Sequence, residues 1–140
     1  MPEHILVLYE GSRRGAAAVR HGAELAAGAD ARLTVVAVAV TESEDTGCCD
    51  TRSVYWNGVV RELAARDLDR ARSLVGAGAG AEFRVVTDRS VPAALALEAE
   101  RSRADMIVVP STRGIHPWSR SRRARQVQRR ATDTVVVAAL

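Results

Sequence analysis

Five short apolar runs alternate along this chain with segments whose apolar residues recur at helical spacing. The runs are HILVLY, ARLTVVAVAV, EFRVVT, DMIVV and DTVVVAA, at residues 4–9, 31–40, 82–87, 105–109 and 133–139. Short continuous runs of this kind are typical of strands that are buried on both faces. The segments between them predict helices over about residues 13–27, 54–75, 90–103 and 122–131.

This alternation predicts the α/β fold class. Strands joined through helices by short links lie parallel, and their right-handed crossovers place helices on both faces of the sheet. We therefore expect a doubly wound, Rossmann-like sheet of five parallel strands in the order 3-2-1-4-5. The 140 residues predict a single domain, residues 1–140. Because aromatic residues make up only 4% of the chain, the core is expected to be aliphatic.

Several residues mark the ends of the predicted helices. Ser12 is placed to cap the first helix, and Gly28 with Asp30 to end it. Pro92 falls in the first turn of the third helix, where proline is favoured. Residues 41–53 predict an irregular connection. The residues of the second helix expected to face inward are Val59, Leu63, Leu68, Leu74 and Val75.

Positive charge is concentrated near the end of the sequence. All 20 basic residues are arginine, and seven of them lie in residues 113–130 with no carboxylate among them, although the net charge is only +3. Such a segment can mark a phosphate or nucleic-acid partner. Trp118 is the only ring there on which a base could stack. The favoured interpretation is a solvated helix face, and a nucleic-acid or acidic partner is the alternative. The arginines that share that face are Arg122, Arg125 and Arg129.

Other functional classes are not indicated. No apolar run approaches the roughly 18 residues of a membrane span, and the first residues are not typical of a signal peptide. Cys48 and Cys49 are adjacent and rarely bridge in that arrangement, so we expect a reduced, cytoplasmic setting, with redox-sensitive thiols as the alternative. His4, His21 and His116 lack metal-ligand spacing and are expected at the surface or along helices.

Two loops are candidates for a ligand site. In an open parallel sheet, ligands bind outside the carboxyl ends of the strands, where the strand order reverses. In the order 3-2-1-4-5, that point lies between the first and fourth strands. Their exits are Glu10-Gly11-Ser12 and residues 110–114, and both are polar and contain a glycine. We therefore expect the two loops to form one site.

Four stretches of the chain follow one another in the order found in a known family. They are ILVLYEGS, ARLTVVAVAV, DRSVPAALALEAERSRADMIVVPSTRG and RRATDTVVVAAL. With them the chain resembles the universal stress protein family along nearly its whole length. The resemblance implies an adenine nucleotide α-hydrolase-like architecture and a stress-response or regulatory role. It makes ATP or AMP the candidate ligand, and no other cofactor is indicated.

In that family, ATP-binding members carry a Gly-x-x-Gly loop and, nine residues later, Gly-Ser or Gly-Thr. Here Ser111 stands for the first glycine, and Gly114 matches the second. Ser121-Arg122 stands for the later pair, and only six residues separate it from Gly114. Glu10 replaces the family's aspartate. Backbone N–H groups approach phosphates closely where side chains are absent, so these departures imply a degenerate nucleotide pocket.

Retained binding of ATP or AMP is the alternative, because arginine side chains can contact phosphates themselves. No Gly-x-Ser-x-Gly elbow is present, so a binding module with at most weak nucleotide hydrolysis is expected rather than an enzyme. The residues that would line a retained pocket are Glu10, Gly11, Ser12, Val40, Pro110, Ser111, Arg113, Gly114, Ser121 and Arg122.

The last strand predicts self-association. Val135, Val136 and Val137 make it strongly apolar, and an apolar strand at a sheet edge invites pairing with another chain. In the family that the chain resembles, the final strands commonly pair across a two-fold axis. The edge argument and the resemblance both predict a homodimer with these three valines at the interface.

Overall fold

The computed structural model describes residues 1–43, 51–76, 80–110, 122–131 and 134–139. Each predicted strand and helix is present, within a few residues of its predicted ends. The strands are β1 (His4–Leu8), β2 (Arg32–Val40), β3 (Glu82–Asp88), β4 (Met106–Pro110) and β5 (Val135–Ala139). The helices are α1 (Arg13–Ala29), α2 (Thr51–Leu74), α3 (Val91–Ser102) and α4 (Arg122–Arg130).

The strands form one parallel sheet in the order β3-β2-β1-β4-β5, which confirms the predicted topology. β1 lies at the centre and is buried along its whole length. Its Ile5 is in register with Leu33 of β2 on one side and Met106 of β4 on the other. Because the strand order reverses between β1 and β4, the exits of these two strands lie side by side.

Two mainly aliphatic layers cover the faces of the sheet. α1 and α2 pack on the face that contains Val7 and Val35, whereas α3 and α4 pack on the face that contains Leu6. α1 lies so close to β1 that a Cβ atom at Gly22 would overlap Val7. Only glycine fits at that crossing, so the contact fixes how deeply α1 sits on the sheet.

Serine hydroxyls begin two of the helices. Ser12 caps α1 as predicted, since its Oγ accepts a hydrogen bond of 3.0 Å from an N–H in the first turn. Ser90 does the same for α3, with Pro92 in the first turn as expected. Asp30 ends α1 with a left-handed φ of 51°. Gly28, which the sequence also placed at the end, lies inside α1, because the helix continues to the residue before Asp30.

The inward face of α2 differs from the prediction. The helix starts at Thr51, inside the segment expected to be irregular. Ala64 and Leu68 are buried against the sheet, whereas Leu63 is 51% exposed and was wrongly expected inside. Small alanine side chains let α2 approach β2, and they occupy the line of contact that Leu63 would otherwise take.

At the N-terminal edge of the sheet, where the strands begin, Asp105 joins β1 to β4. Its Oδ2 accepts hydrogen bonds from the backbone N–H of Glu3, at 2.7 Å, and of His4, at 3.0 Å. These two bonds, the one from Glu3 first, hold the pKa of Asp105 below its usual value of 3.8. The carboxylate therefore binds together two strands that are far apart in sequence.

His4 is buried beneath the same edge, with 4% of its surface exposed, so the prediction of a surface or helix-lining role was wrong for this residue. Its Nδ1 lies 3.1 Å from the Ser102 carbonyl oxygen, and its Nε2 lies 2.7 Å from Thr34 Oγ1. Because a carbonyl oxygen only accepts, Nδ1 donates, and in the neutral ring Nε2 accepts from the hydroxyl. The imidazole thereby connects β1 to β2 and α3.

Gln128 completes this edge at β5. Its Nε2 donates to the carbonyl oxygens of Ala131, at 2.9 Å, and Thr134, at 2.8 Å. Its Oε1 accepts from the Val136 N–H at 3.0 Å. One side chain therefore fixes the path from α4 into β5.

Candidate functional site

The carboxyl edge of the sheet, where the strands end, begins with the exit of β1. Tyr9 still follows the sheet, since its N–H donates to the Val36 carbonyl oxygen at 2.9 Å. Glu10 and Gly11 then turn the chain into α1, and Gly11 has a left-handed φ of 75°. Ser12 caps the helix. The loop therefore brings the amino end of α1 to the centre of the sheet, where a helix favours anions.

Asp67 of α2 lies against this loop. A Cβ atom at Gly11 would stand 2.7 Å from Asp67 Oδ1, closer than a side chain can approach. The left-handed φ favours glycine at this position, and the Asp67 carboxylate lies directly against it. The nearest cation on the helix is Arg70, whose Nη1 is 4.0 Å from Oδ1 and whose side chain is largely exposed. This pair is at the limit of a salt bridge and holds the carboxylate only weakly.

The exit of β2 is held by Asn57, which is 1% exposed. Its Oδ1 accepts from the Glu42 N–H at 2.8 Å, and its Nδ2 donates to the Glu42 carbonyl oxygen at 2.9 Å. The Thr41 N–H donates to Asp88 at the end of β3. Val40, a predicted site residue, is therefore followed by backbone that is fixed from two sides.

Between this exit and α2 lies a cavity of about 360 Å³. One wall is the end of β2, including Val40, and the other is one face of α2. Residues 56, 60, 63, 64 and 67 lie on one face because their spacing follows the helical repeat. The helix residues in this wall are Trp56, Val60, Leu63, Ala64 and Asp67.

The exit of β4 is described only at its first residue. Pro110 ends the strand and is buried, in register with Ala139 of β5. Arg122 opens α4. The predicted residues Ser111, Arg113, Gly114 and Ser121 lie outside the described residues, as do Cys48 and Cys49. The structure therefore brings together Glu10, Gly11, Ser12, Val40 and Pro110 at one edge of the sheet.

The arginine-rich segment is divided by the fold. α4 runs back from the carboxyl edge towards the start of β5, so its first residues are near the β4 exit and its last residues are not. Arg130 lines a different cavity, with Asp105 and Thr134, at the N-terminal edge. Arg125 and Arg129 are exposed, while Val127 is fully buried. The last residues of α4, including Arg129 and Arg130, are therefore not placed to reach a ligand at the carboxyl edge.

Sequence reasoning missed Asp67 and Asn57 as parts of this site. Both come from α2, whose orientation depends on how its alanines pack. Near the start of the same helix, Tyr55 is 75% exposed and Trp56 lines the cavity. The available signal was the helical spacing from Trp56 to Asp67.

Two other kinds of function find no support in the described residues. No three metal-ligating side chains cluster there, and no helix there has the length and apolarity to cross a membrane.

Comparison with known proteins identifies the fold and the family. The sequence matches the Universal stress protein family over residues 1–138. The chain belongs to the universal stress protein family. The comparison with curated proteins gave no match.

Solved structures agree with this universal stress protein fold. A family member from Burkholderia pseudomallei is 26% identical, with a TM-score of 0.72 over 97% of this chain and 94% of that one. A universal stress protein from Archaeoglobus fulgidus in complex with dAMP is 20% identical, with a TM-score of 0.61 over 99% and 98%. A family protein from Arabidopsis thaliana with AMP bound is 16% identical, with a TM-score of 0.61 over 98% and 90%. The last two likenesses concern the fold alone.

Proposed function

We propose that this universal stress protein is a homodimeric, cytoplasmic regulatory module that binds the nucleoside part of an adenine nucleotide and holds its phosphates weakly. The observation that carries the proposal is the cavity of about 360 Å³ between the end of β2 and α2. One of its lining residues, Asp67, lies against Gly11 of the β1–α1 loop. That loop is at the point where the strand order reverses, which is where ligands bind in open parallel sheets. We also propose that residues 1–140 form one domain.

The cavity suits a flat, weakly polar group. Val40 and Val60 give it aliphatic walls, and Trp56 adds an aromatic ring that is 49% exposed. Aromatic rings gain stability by stacking with or packing edge-on against another ring. The neighbouring family structures with dAMP and AMP bound make adenine the favoured ring.

The part of the site that would bind the phosphates departs from the family pattern in this chain. Ser111 stands for a glycine, and the stretch between Gly114 and Ser121 is three residues shorter than the nine of that pattern. Side chains and a shorter loop reduce the number of backbone N–H groups that can surround a triphosphate. The amino end of α1 remains beside the site and favours one phosphate. We therefore expect AMP to bind and the further phosphates of ATP to add little.

Isothermal titration calorimetry with adenosine, AMP and ATP tests this function. We expect AMP to bind, and the affinities for AMP and ATP to agree within about threefold. ATP binding that is tighter by about tenfold or more would mean that the phosphate site is intact. If none of the three ligands binds at millimolar concentration, the site does not hold adenine nucleotides. No hydrolysis of ATP is expected, and phosphate release in the same samples checks this.

The homodimer is proposed to form through β5. β5 is an edge strand, and Val135 is 58% exposed there, while Val136 and Val137 are half-buried. Alternate residues of a strand point to the same face, so Val135 and Val137 together offer an apolar surface to a second β5. Burial of that surface favours association.

Sedimentation velocity at micromolar concentration tests the dimer. The unmodified chain is expected to sediment as a dimer and Val135→Lys as a monomer, because a lysine at the edge opposes strand pairing. Val85→Lys is the matched control, since Val85 is also an exposed valine but lies on β3, the opposite edge strand. A monomeric unmodified chain, or loss of the dimer in Val85→Lys alone, would contradict the assignment to β5.

A further inference from the structure

Among the described residues, two carboxylates line the cavity, those of Glu42 and Asp67, and they differ in how far they are enclosed. Glu42 is exposed, and Asn57 holds its backbone rather than its side chain. The Asp67 side chain is 29% exposed and lies on the same helix face as Trp56. Asp67 is therefore the more enclosed acceptor on an otherwise largely apolar lining.

The second feature is the contact between Asp67 and Gly11. The carboxylate occupies the space that any side chain at Gly11 would need. It therefore lies between the cavity and the amino end of α1. A nucleoside monophosphate whose base fills the cavity and whose phosphate meets α1 has its sugar between them, which is where the carboxylate stands.

Resting on the proposed nucleoside site, we infer that Asp67 binds the ribose hydroxyls and makes the protein select ribonucleotides over deoxyribonucleotides. A carboxylate accepts hydrogen bonds from two neighbouring hydroxyls, one on each oxygen. Acidic side chains bind ribose in this way in other nucleotide-binding α/β folds. Bonds to an ionised acceptor are also stronger than those between neutral groups.

Asp67 is better placed for this role than Glu10, the loop residue that replaces the family's aspartate. Glu10 is exposed and is not among the residues that line the cavity, whereas Asp67 lines it and touches the loop. We therefore assign the contact with the ribose to Asp67 of α2 rather than to Glu10 of the loop.

Calorimetry with AMP, 2′-deoxy-AMP and 3′-deoxy-AMP tests the inference. The unmodified protein is expected to bind AMP about tenfold more tightly than either deoxy analogue, since each lacks one hydrogen-bonded hydroxyl. In Asp67→Ala the three affinities are expected to agree within about twofold. Asp67→Asn keeps the shape and one acceptor oxygen, so its preference is expected to fall in between.

Asp69→Ala is the matched control, because Asp69 lies on the same helix with an exposed side chain that does not line the cavity. It is expected to keep the full preference for AMP. The ratio of affinities, rather than affinity alone, separates recognition from a structural role. A fall that is equal for all three ligands in Asp67→Ala, with the ratio kept, would overturn the inference.

Two further outcomes separate a failure of the inference about Asp67 from a failure of the proposed function. If the unmodified protein binds AMP but not more tightly than the deoxy analogues, the nucleoside site stands and the role of Asp67 is wrong. The same holds if Glu10→Gln removes the preference and Asp67→Ala does not. If AMP does not bind to the unmodified protein at all, the proposed function fails, and the inference fails with it.

Discussion

The two ends of the sheet are held in different ways. At the N-terminal edge, Asp105, His4 and Gln128 bind backbone groups of neighbouring strands and helices. At the carboxyl edge, Asn57 binds the backbone at the exit of β2 in this way. The cavity beside it is lined by Trp56 and aliphatic side chains, whereas the cavity at the N-terminal edge is lined by Arg130, Asp105 and Thr134.

The difference separates two tasks along one set of strands. A side chain that bonds backbone groups of neighbouring elements stabilises the fold, and the effect is expected to be largest for His4, which is buried, because a buried polar group left unpaired is costly. At the carboxyl edge, the cavity and the exposed tryptophan contribute less to stability, and they leave a surface that can bind a ligand. Substitutions at the N-terminal edge should therefore change stability, and substitutions at the cavity should change binding.

Thr34→Val, at the N-terminal edge, is expected to have the largest effect on stability and so tests the comparison most strongly. The change keeps the shape of the side chain but leaves Nε2 of the buried His4 without its partner at 2.7 Å. We expect the free energy of unfolding to fall by about 2 kcal/mol, measured by urea denaturation, with AMP affinity unchanged. Thr87→Val, on the exposed face of β3, serves as the control and should cost little. A large loss of AMP affinity in Thr34→Val would show that the two ends are not independent.

Asp105→Asn tests the role of the N-terminal edge through the pH dependence of stability. The pKa of Asp105 is lowered in the folded state from 3.8 by hydrogen bonds from Glu3 and His4. The ionised form is thus favoured by folding, and its stabilisation is present above pH 3.8 and is lost as the pH falls through the lower folded value. At pH 7 we expect Asp105→Asn to be less stable than the unmodified chain, by a small amount because the exposed carboxylate is screened by solvent.

Urea denaturation of both proteins from pH 7 down to below pH 3 measures this effect. The difference between Asp105→Asn and the unmodified chain should shrink on the acid side of pH 3.8. A difference that stays constant over the whole range would mean that the charge of Asp105 contributes nothing.

The smallest expected effect is at the cavity. Trp56→Ala removes a half-exposed ring, so the free energy of unfolding should change by less than about 1 kcal/mol. AMP affinity should nevertheless fall about fivefold, because the ring forms part of the cavity wall. Tyr55→Ala is the control, since Tyr55 is next in sequence but more exposed and outside the lining. Equal losses of affinity in the two variants would argue against Trp56 as a contact of the ligand.

The sequence predicted the fold well because the relevant signals are local. Apolar runs, a serine before a helix and a proline in a first turn act within a few residues, so element types and strand order followed from them. The ends of β1 and β2 were also predicted to within a residue. The strand order alone determines which exits are neighbours.

The part of the site contributed by α2 was not predictable in the same way. Which face of a helix meets the sheet depends on packing, and here Ala64 rather than Leu63 makes the contact. That choice fixes the direction of Trp56 and Asp67. The environment of His4 was missed for a related reason, since its partners Thr34 and Ser102 come from distant parts of the chain.

The central position of β1 has a consequence for how the protein is made. β1 emerges from the ribosome well before the residue that binds its first backbone N–H groups, because Asp105 follows His4 by 101 residues. At roughly 5–20 residues per second, that interval lasts about 5–20 seconds. Throughout it, one side of β1, which is buried along its whole length in the folded protein, has no partner. The nascent chain therefore exposes the apolar residues of β1 on that side until β4 has been synthesised.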